Sequence, residues 1–515
     1  MIPVIDIFAG PGGLGEGFSA LVDETEVPAF KIKLSLEKDE NAHKTLQLRA
    51  FFRQFPKGCA PEAYYRFLRG ELPVSSLYDL HPNEARAAQR EAVRLTLGED
   101  TWETTSTLIR KALNGAKEWV LIGGPPCQAY SLVGRARNKG VEGYEASEDQ
   151  RHFLYREYLK ILETFRPSVF VMENVKGVLS SKPEGTLIFE QIERDLKAPT
   201  AALDVSSSRP VAYRLHSLAA EQLRCKKTYI LKSELYGVPQ SRHRVIIIGV
   251  REDLTDLAPN HLTTSTEVPL KDVLCGLPVL RSGLSRSEDS ADAWLAVLRK
   301  APERRWYHSA KKFAPNLEEF LASAMQSLRR PRYDRGGEFI ACDVSVAYRP
   351  DWYLDQRIKG VCNHTSRLHI EKDLYRYLYA ACFARAEGTS PRLGDFPTDL
   401  LPAHANATTA VENGALFQDR FRVQIAHKPS TTITSHISKD GHYYIHHDPT
   451  QCRSLTVREA SRLQSFPDNY FFTGPRTAQY VQVGNAVPPL MAQEIARSIL
   501  DLLRAAGKVQ NGSLK

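Results

Sequence analysis

Strand-like apolar runs that alternate with helical segments through the first half of the chain constrain its fold more than any other feature. The runs are Val4-Ile-Asp-Ile-Phe8, Phe30-Lys-Ile-Lys-Leu-Ser-Leu36, Trp119-Val-Leu-Ile122, Ser168-Val-Phe-Val-Met172 and Arg244-Val-Ile-Ile-Ile-Gly249. Helices are expected from about Glu16, over Ala85 to Leu97, Thr104 to Lys117, Phe153 to Thr164 and Leu187 to Leu196. Strands that are apolar on both faces and separated by helices predict a parallel sheet covered on both sides, a doubly wound α/β domain.

From about Thr255 the alternation stops, and Pro/Gly/Ser-rich stretches separate irregular segments up to about residue 450. Regularity returns with a helix over Val457 to Ser465 and a closing amphipathic helix to about Arg504. With 515 residues the chain is too long for one core. The expected division is 1–254, an irregular second domain over 255–450, and 451–515 completing the first. The aromatic and arginine-rich stretch 49–75 reads as an insertion.

Two loops carry chemistry. Gly10-Pro-Gly12-Gly13-Leu14-Gly15 after the first strand fits the dinucleotide fingerprint, and Glu37 stands about 20 residues on, where a carboxylate would hold ribose hydroxyls. Both NAD and S-adenosylmethionine satisfy that pattern, as does a plain strand-to-helix turn. Gly123-Gly124-Pro125-Pro126-Cys127-Gln128 sets one thiol on a stiff turn at the carboxyl end of a strand, where open α/β sheets bind ligands. Glu173 follows the Val169 to Met172 run at the same sheet edge, so a thiol and a carboxyl converge on one crevice. A nucleophile and a general acid fit that placement, a buried cysteine and a helix-capping glutamate being the alternatives. Arg242 and Arg244, two apart in Gln240-Ser-Arg-His-Arg244, would share one face of an extended segment.

The net charge of +8 and pI near 8.9 suit a polyanionic partner. The eight cysteines include no Cys-x-x-Cys pair, which argues against a zinc ribbon or a disulfide framework and for a reducing compartment. Cys362-x-His364 reads as a loop position, and no metal is expected. The Met1-Ile-Pro-Val-Ile-Asp start lacks a signal-peptide pattern, and no run reaches the roughly 18 apolar residues of a membrane helix. A cytoplasmic protein with no membrane partner is expected.

Asp6-Ile-Phe-Ala-Gly-Pro-Gly-Gly13, Gly-Gly-Pro-Pro-Cys127-Gln, Glu173-Asn-Val175, Gln240-x-Arg242-x-Arg244, Arg458-Glu-Ala-Ser-Arg-Leu-Gln-Ser-Phe-Pro467 and Gln482-Val-Gly-Asn-Ala-Val-Pro488 occur in this order. The chain thereby resembles the DNA (cytosine-5)-methyltransferases of bacterial restriction-modification systems. The resemblance implies a Rossmann-like catalytic domain with an inserted target-recognition domain. It also implies S-adenosylmethionine held by Phe8, Ala9, Gly10, Gly12, Gly13, Leu14, Glu37, Asp79, Pro125, Asn485 and Ala486, and a catalytic set of Cys127, Glu173, Arg242 and Arg244. The partner would be double-stranded DNA, the enzyme a monomer, and a restriction endonuclease its functional counterpart. Ala129-Tyr130 departs from the usual Gly-Phe. In the second domain, ten Lys/Arg against four acids over 299–335, interleaved with Trp306, Tyr307, Phe313 and Tyr333, suit phosphate contact with some stacking, or solvated helices with an aromatic inner face. Asp419-Arg-Phe-Arg422 and Thr431 to His436 offer further polar groups. An RNA methyltransferase, an inert DNA-binding relative and a nicotinamide-dependent dehydrogenase are the rival readings.

Overall fold

The computed structural model describes residues 1–126, 150–180, 188–219, 226–402 and 419–508. Strands β1 (Ile2–Ile7), β2 (Phe30–Glu37), β3 (Ala92–Arg94), β4 (Val120–Gly123) and β5 (Val169–Val175) hydrogen-bond in parallel in the spatial order β3-β2-β1-β4-β5. Beyond β5 the sheet turns antiparallel. After β6 (Tyr213–His216), β7 (Ile230–Lys232) and the two-residue β8 (Gln240–Ser241), the long β9 (His243–Arg251) pairs with β5, β6 and β7. The sheet is therefore mostly parallel. Ile5, Leu34, Leu121, Phe170 and Ile247 form one buried cluster with residues of the covering helices, such as Ile109 and Leu162, which accounts for the continuous apolar runs. Strand order reverses between β1 and β4, and the crevice at such a reversal is where doubly wound sheets take ligands.

Helix α1 (Gly13–Ala20) follows β1 directly, starting earlier than the expected Glu16. It lies against the closing helix Pro489–Ala505 closely enough that only hydrogen fits at two positions. A Cβ on Gly13 would stand 2.1 Å from the Val487 carbonyl oxygen, and one on Gly17 would stand 2.4 Å from the Pro489 oxygen and 2.5 Å from the Ala492 Cβ. In an ordinary helix interior Gly→Ala stabilises by about 1 kcal/mol. Gly17→Ala is expected to reverse that sign and lose roughly 1–3 kcal/mol through overpacking, read as a lower midpoint in urea. A gain in stability would show that the two helices can separate freely. On its other side α1 is fastened by Glu16, whose buried carboxylate pairs with Arg49 of α2 (Glu40–Phe52) at 2.8 Å and with Arg53 at 3.6 Å; Arg53 also reaches Glu91 at 2.6 Å.

Local sequence misleads in a few places. The expected helix to Leu97 stops at Glu91, because Ala92–Arg94 pairs with the exposed edge of β2 instead. The helix expected to Lys117 ends at Leu113, where Asn114 takes a left-handed cap at φ 47°. Cys362 and His364 lie in a strand, Gly360–Thr365, and not a loop; His364 is buried between Thr456 Oγ1 (2.8 Å) and the Pro278 carbonyl (3.0 Å).

By compactness the chain divides into two units, one of residues 1–59, 81–267 and 486–515, the other of 60–80 and 268–485. These limits differ from the expected 1–254, 255–450 and 451–515 in three places. Residues 255–267 stay with the first unit, where Leu262 and Ser265 donate to the Leu218 and Leu235 carbonyls at 2.9 and 2.8 Å. Residues 60–80 join the second unit because Tyr64 donates to the Asn469 carbonyl (3.0 Å), Tyr65 to Asp355 (2.8 Å), and Phe67 packs edge-on against Phe471. Residues 451–485 join it through two fully buried arginines, Arg458 donating to the Cys362 carbonyl and Arg462 to the Val273 carbonyl, each at 2.9 Å. Within the segment Arg462 also grips Asp468 at 2.7 and 2.9 Å, and a third buried arginine, Arg453, grips Glu459 at 2.6 and 2.7 Å.

Within 299–335 the aromatic-inner-face alternative holds for three of the four aromatics, while Tyr333 is half-buried elsewhere with Arg332 over its ring at 5.2 Å. Trp306 is 3% exposed and packs with Tyr375 and Tyr379, and Tyr307 and Phe313 lean on the same cluster. None of these three is a free stacking platform; the basic side chains between them face outward on this account.

Candidate active site

At the carboxyl end of β1 the chain turns through three left-handed residues, Phe8 (φ 55°), Gly10 (φ 58°) and Gly12 (φ 98°), the last capping α1. The turn is tied to the end of β2. Ala9 donates its N–H to the Leu36 carbonyl (3.1 Å) and Gly10 donates to Glu37 Oε2 (2.7 Å), while Asp39 N–H binds Glu37 Oε1 (2.8 Å). Two amides thus aim the Glu37 carboxylate beside the turn and leave it lone pairs for hydroxyl donors. Nothing lies within 4 Å of a Cβ built on Gly10, so the turn has an open side there. Gly13 and Leu14 are buried under it and Phe8 is half-buried against the core.

Asp6 lies beneath this turn, fully buried. Neither carboxyl oxygen reaches full hydrogen-bond geometry, although the Gly15 amide lends weak support. Burial pushes this carboxyl up to about 8, with Arg53 opposing and the negative Glu37 reinforcing the shift.

At the end of β4, Gly123 (φ 151°) passes so close to β1 that a Cβ would stand 2.2 Å from the Ile7 oxygen. Gly124 does the same beside β5, where a Cβ would stand 2.5 Å from the Glu173 carbonyl and 2.9 Å from its Oε2. The Pro125 carbonyl accepts from Asn174 Nδ2 at 3.4 Å. The glycine pair therefore lets the Pro125-Pro126 turn sit against Glu173. Cys127 and the Gln128-Ala129-Tyr130 that follow lie outside the described residues.

Glu173 does not follow the strand as expected but lies within it, because β9 continues the antiparallel ladder through Glu173↔Ile246, Asn174↔Val245 and Val175↔Arg244. The helix-capping alternative falls with that pairing. Residues two apart share a face, so Arg244 stands diagonal to Glu173 and pairs with it, Nε to Oε1 3.0 Å, both side chains more than four-fifths buried. Burial lowers the Arg244 pKa and the Glu173 charge opposes that shift. Arg242 is buried one residue outside β9, its backbone N–H bound to Ser233 Oγ at 3.0 Å.

The first unit thus gathers Phe8 to Leu14, Glu37, Pro125, Glu173, Arg242, Arg244 and the buried Ala486. Asp79 is exposed on the helix Val74–Leu80, and Asn485 is exposed at the end of the helix Arg476–Asn485; both belong to the second unit. Sequence reasoning gave Asp6, Gly124 and Asn174 no separate role, although each lies inside a quoted motif. Among the described residues no three His, Cys, Asp or Glu side chains converge as a metal site.

The family of C-5 cytosine-specific DNA methylases matches residues 103–501. The type II methyltransferase M.Bpa9945I of Bacillus paralicheniformis is 32% identical over 521 residues, covering 97% of this chain and 99% of its own length. The DNA (cytosine-5-)-methyltransferase M.ApeKI of Aeropyrum pernix is 25% identical over 410 residues, 76% of this chain and 83% of its own. A crystal structure described as a DNA modification methyltransferase encoded within an E. coli prophage shares the fold, with a TM-score of 0.51 at 18% identity over 98% of this chain and 100% of that one.

Proposed function

The chain belongs to the C-5 cytosine-specific DNA methylase family and is a DNA cytosine-5 methyltransferase, and from that premise we propose that it methylates cytosine in a short duplex sequence through a covalent adduct of Cys127 with C6. The observation that carries this reading is the Glu173–Arg244 pair standing against the Gly124-Pro125-Pro126 turn that leads into Cys127. S-adenosylmethionine suits the glycine turn, whose open side at Gly10 and amide-fixed Glu37 carboxylate match a ribose and its hydroxyls. When bound, it supplies an electrophilic methyl group.

Cytosine C5 is a weak nucleophile. Addition of the Cys127 thiolate to C6 forms an S–C6 bond and moves the C5–C6 π electrons onto the ring, making C5 enamine-like. Glu173 holds the N3 and amino edge and stabilises the charge that develops there, with Arg244 and Arg242 on the O2 side. After C5 gains the methyl group, loss of its proton returns the electron pair to the C5–C6 bond and expels Cys127. C6 is inaccessible in a stacked duplex, so the base must be flipped out at a cost of a few kcal/mol.

Relatives named as type II methyltransferases support pairing with a restriction endonuclease. No helix among the described residues is long and apolar enough to cross a membrane. We place the protein in the cytoplasm, as a monomer.

The test is tritium transfer from labelled S-adenosylmethionine to unmethylated duplex DNA, with bisulfite mapping and capture on 5-fluorocytosine duplex. Label at one short motif and a denaturation-stable adduct at Cys127 are expected. Transfer to tRNA in preference to duplex DNA, or a folded protein that binds the cofactor and forms no adduct, would overturn the reading.

A further inference from the structure

The second compact unit contains a cavity of about 300 Å³ that the mechanism above does not use. Its wall comes from Ser285 and three separate stretches, Arg367 to Asp373, Ser438 to His442, and Arg476 to Tyr480. Charge makes it unusual. Arg367, Lys439 and Arg476 all line it, and none of the three has a carboxylate ion partner among the described residues. Arg367 is 93% buried, stands over the Tyr480 ring with its guanidinium carbon 4.0 Å from the centroid, and gives its terminal nitrogens to the Ile437, Ser438 and Lys439 carbonyls while its Nε is unpartnered. Arg476 spends Nη1 on the Ser366 carbonyl at 2.8 Å, and the charges of Arg367 and Arg335 bear on it. Of the two carboxylates in the wall, Asp373 is already bound to Arg376 at 2.6 Å. Asp440 accepts the His442 N–H at 3.0 Å and is the one left to face three cations.

A group of cations short of counter-ions is costly in a partly desolvated cavity unless an anion completes it. The histidines do not add to the excess charge. His369 and His442 share the Tyr377 hydroxyl at 3.3 and 2.7 Å, and burial shifts both toward the neutral form, His369 strongly and His442 against the opposing charges of Asp440 and Asp373. The rim chooses among anions. Leu368, 45% exposed, is one of few large apolar side chains left open to solvent, and it stands beside Lys439 and Arg476 at the same cavity. An apolar lip next to an oxyanion pocket matches a sugar-phosphate chain better than a free ion.

We propose that this cavity seats one backbone phosphate of duplex DNA, with Lys439 and Arg476 as direct donors, Thr477 at the edge, and Arg367 as a fixed positive floor. The proposal rests on the reading of the chain as a DNA methyltransferase and adds a phosphate anchor within 268–485. A phosphate contact carries no sequence information, so it sets position and affinity equally on target and non-target DNA.

The test is fluorescence anisotropy of a labelled duplex between about 50 and 200 mM salt, with wild type, Lys439→Gln and Lys439→Gln/Arg476→Ala, alongside calorimetric titration of inorganic phosphate. Lys439 is exposed, so the single variant keeps the test open if Arg476→Ala disturbs folding, and thermal unfolding of the whole chain reports the integrity of both. The double variant is expected to bind roughly tenfold more weakly on any duplex sequence. Each lost contact should flatten the slope of log K against log salt by about one. Wild type that binds duplex, with both variants keeping its affinity and slope, would overturn the pocket. Saturable phosphate binding lost in the variants while the duplex slope stays unchanged would also overturn it, in favour of a free-anion site. Wild type that binds no duplex at low salt would instead strike the underlying DNA reading.

Discussion

Glu173→Gln is expected to lower kcat for methyl transfer by about 10²–10⁴-fold while leaving cofactor affinity unchanged. The substitution keeps volume and one acceptor oxygen. It removes the negative charge that pairs with Arg244 at 3.0 Å and the ability to exchange a proton with the base edge. Cofactor affinity should survive because Glu37 and the glycine turn are fastened to β2 and α1, through bonds in which Glu173 takes no part. Stability should fall as well, since losing one partner of a buried pair leaves Arg244 uncompensated, at a cost of about 3–5 kcal/mol for full burial and less here with both groups partly exposed. Arg244→Met tests the coupling. In a double-mutant cycle its cost on kcat should shrink strongly when Glu173 is already Gln, because one ion pair can be lost only once. Turnover within threefold of wild type in Glu173→Gln, or additive losses, would remove Glu173 from the reacting centre.

Asp6 leads to an effect of similar size in stability. Its carboxyl sits in the folded chain at about 8, against 3.8 for the ordinary group. Below about pH 4 both folded and unfolded chains carry the proton, and the folded state bears no penalty. Between pH 4 and 8 the unfolded chain ionises Asp6 while the folded chain does not, so stability falls as pH rises, by roughly 1.4 kcal/mol per unit. Across the window this is on the order of 5 kcal/mol, and the loss levels off above about pH 8, where the folded chain ionises too. Asp6→Asn should abolish this share of the slope. Urea unfolding at pH 5 and pH 8 should show the variant losing several kcal/mol less than wild type on going from the lower to the higher pH. Parallel pH profiles would mean that Asp6 is ionised in the fold.

Much of this molecule is legible in order along the chain, because the signals are local. Apolar runs and helical periods mark β1, β2, β4, β5 and β9 within a few residues, and glycine clusters mark the two loops at the sheet edge. Motif order identifies the family, and Phe8 to Leu14, Glu37, Pro125, Glu173 and Arg244 fall in one compact unit. What the residues could not disclose depends on partners distant in sequence. Glu173 belongs to a strand only because β9, some 70 residues on, continues the ladder beside it. Gly124 is glycine because the Glu173 backbone and carboxylate occupy the space of its side chain. The stretch 49–75 reads as an insertion without a purpose, and only the bonds of Tyr64 and Tyr65 to Asn469 and Asp355 attach its later part to the second unit. Trp306 looked available to a base and is core, and Arg453, Arg458 and Arg462 carry charge yet lie fully buried. A pattern of residue types tells which face of an element is apolar and where the chain must turn. Which group covers that face, which charge meets a buried arginine, and that Asp6 is left with no more than the weak support of the Gly15 amide, is decided only when segments distant in sequence exclude water together.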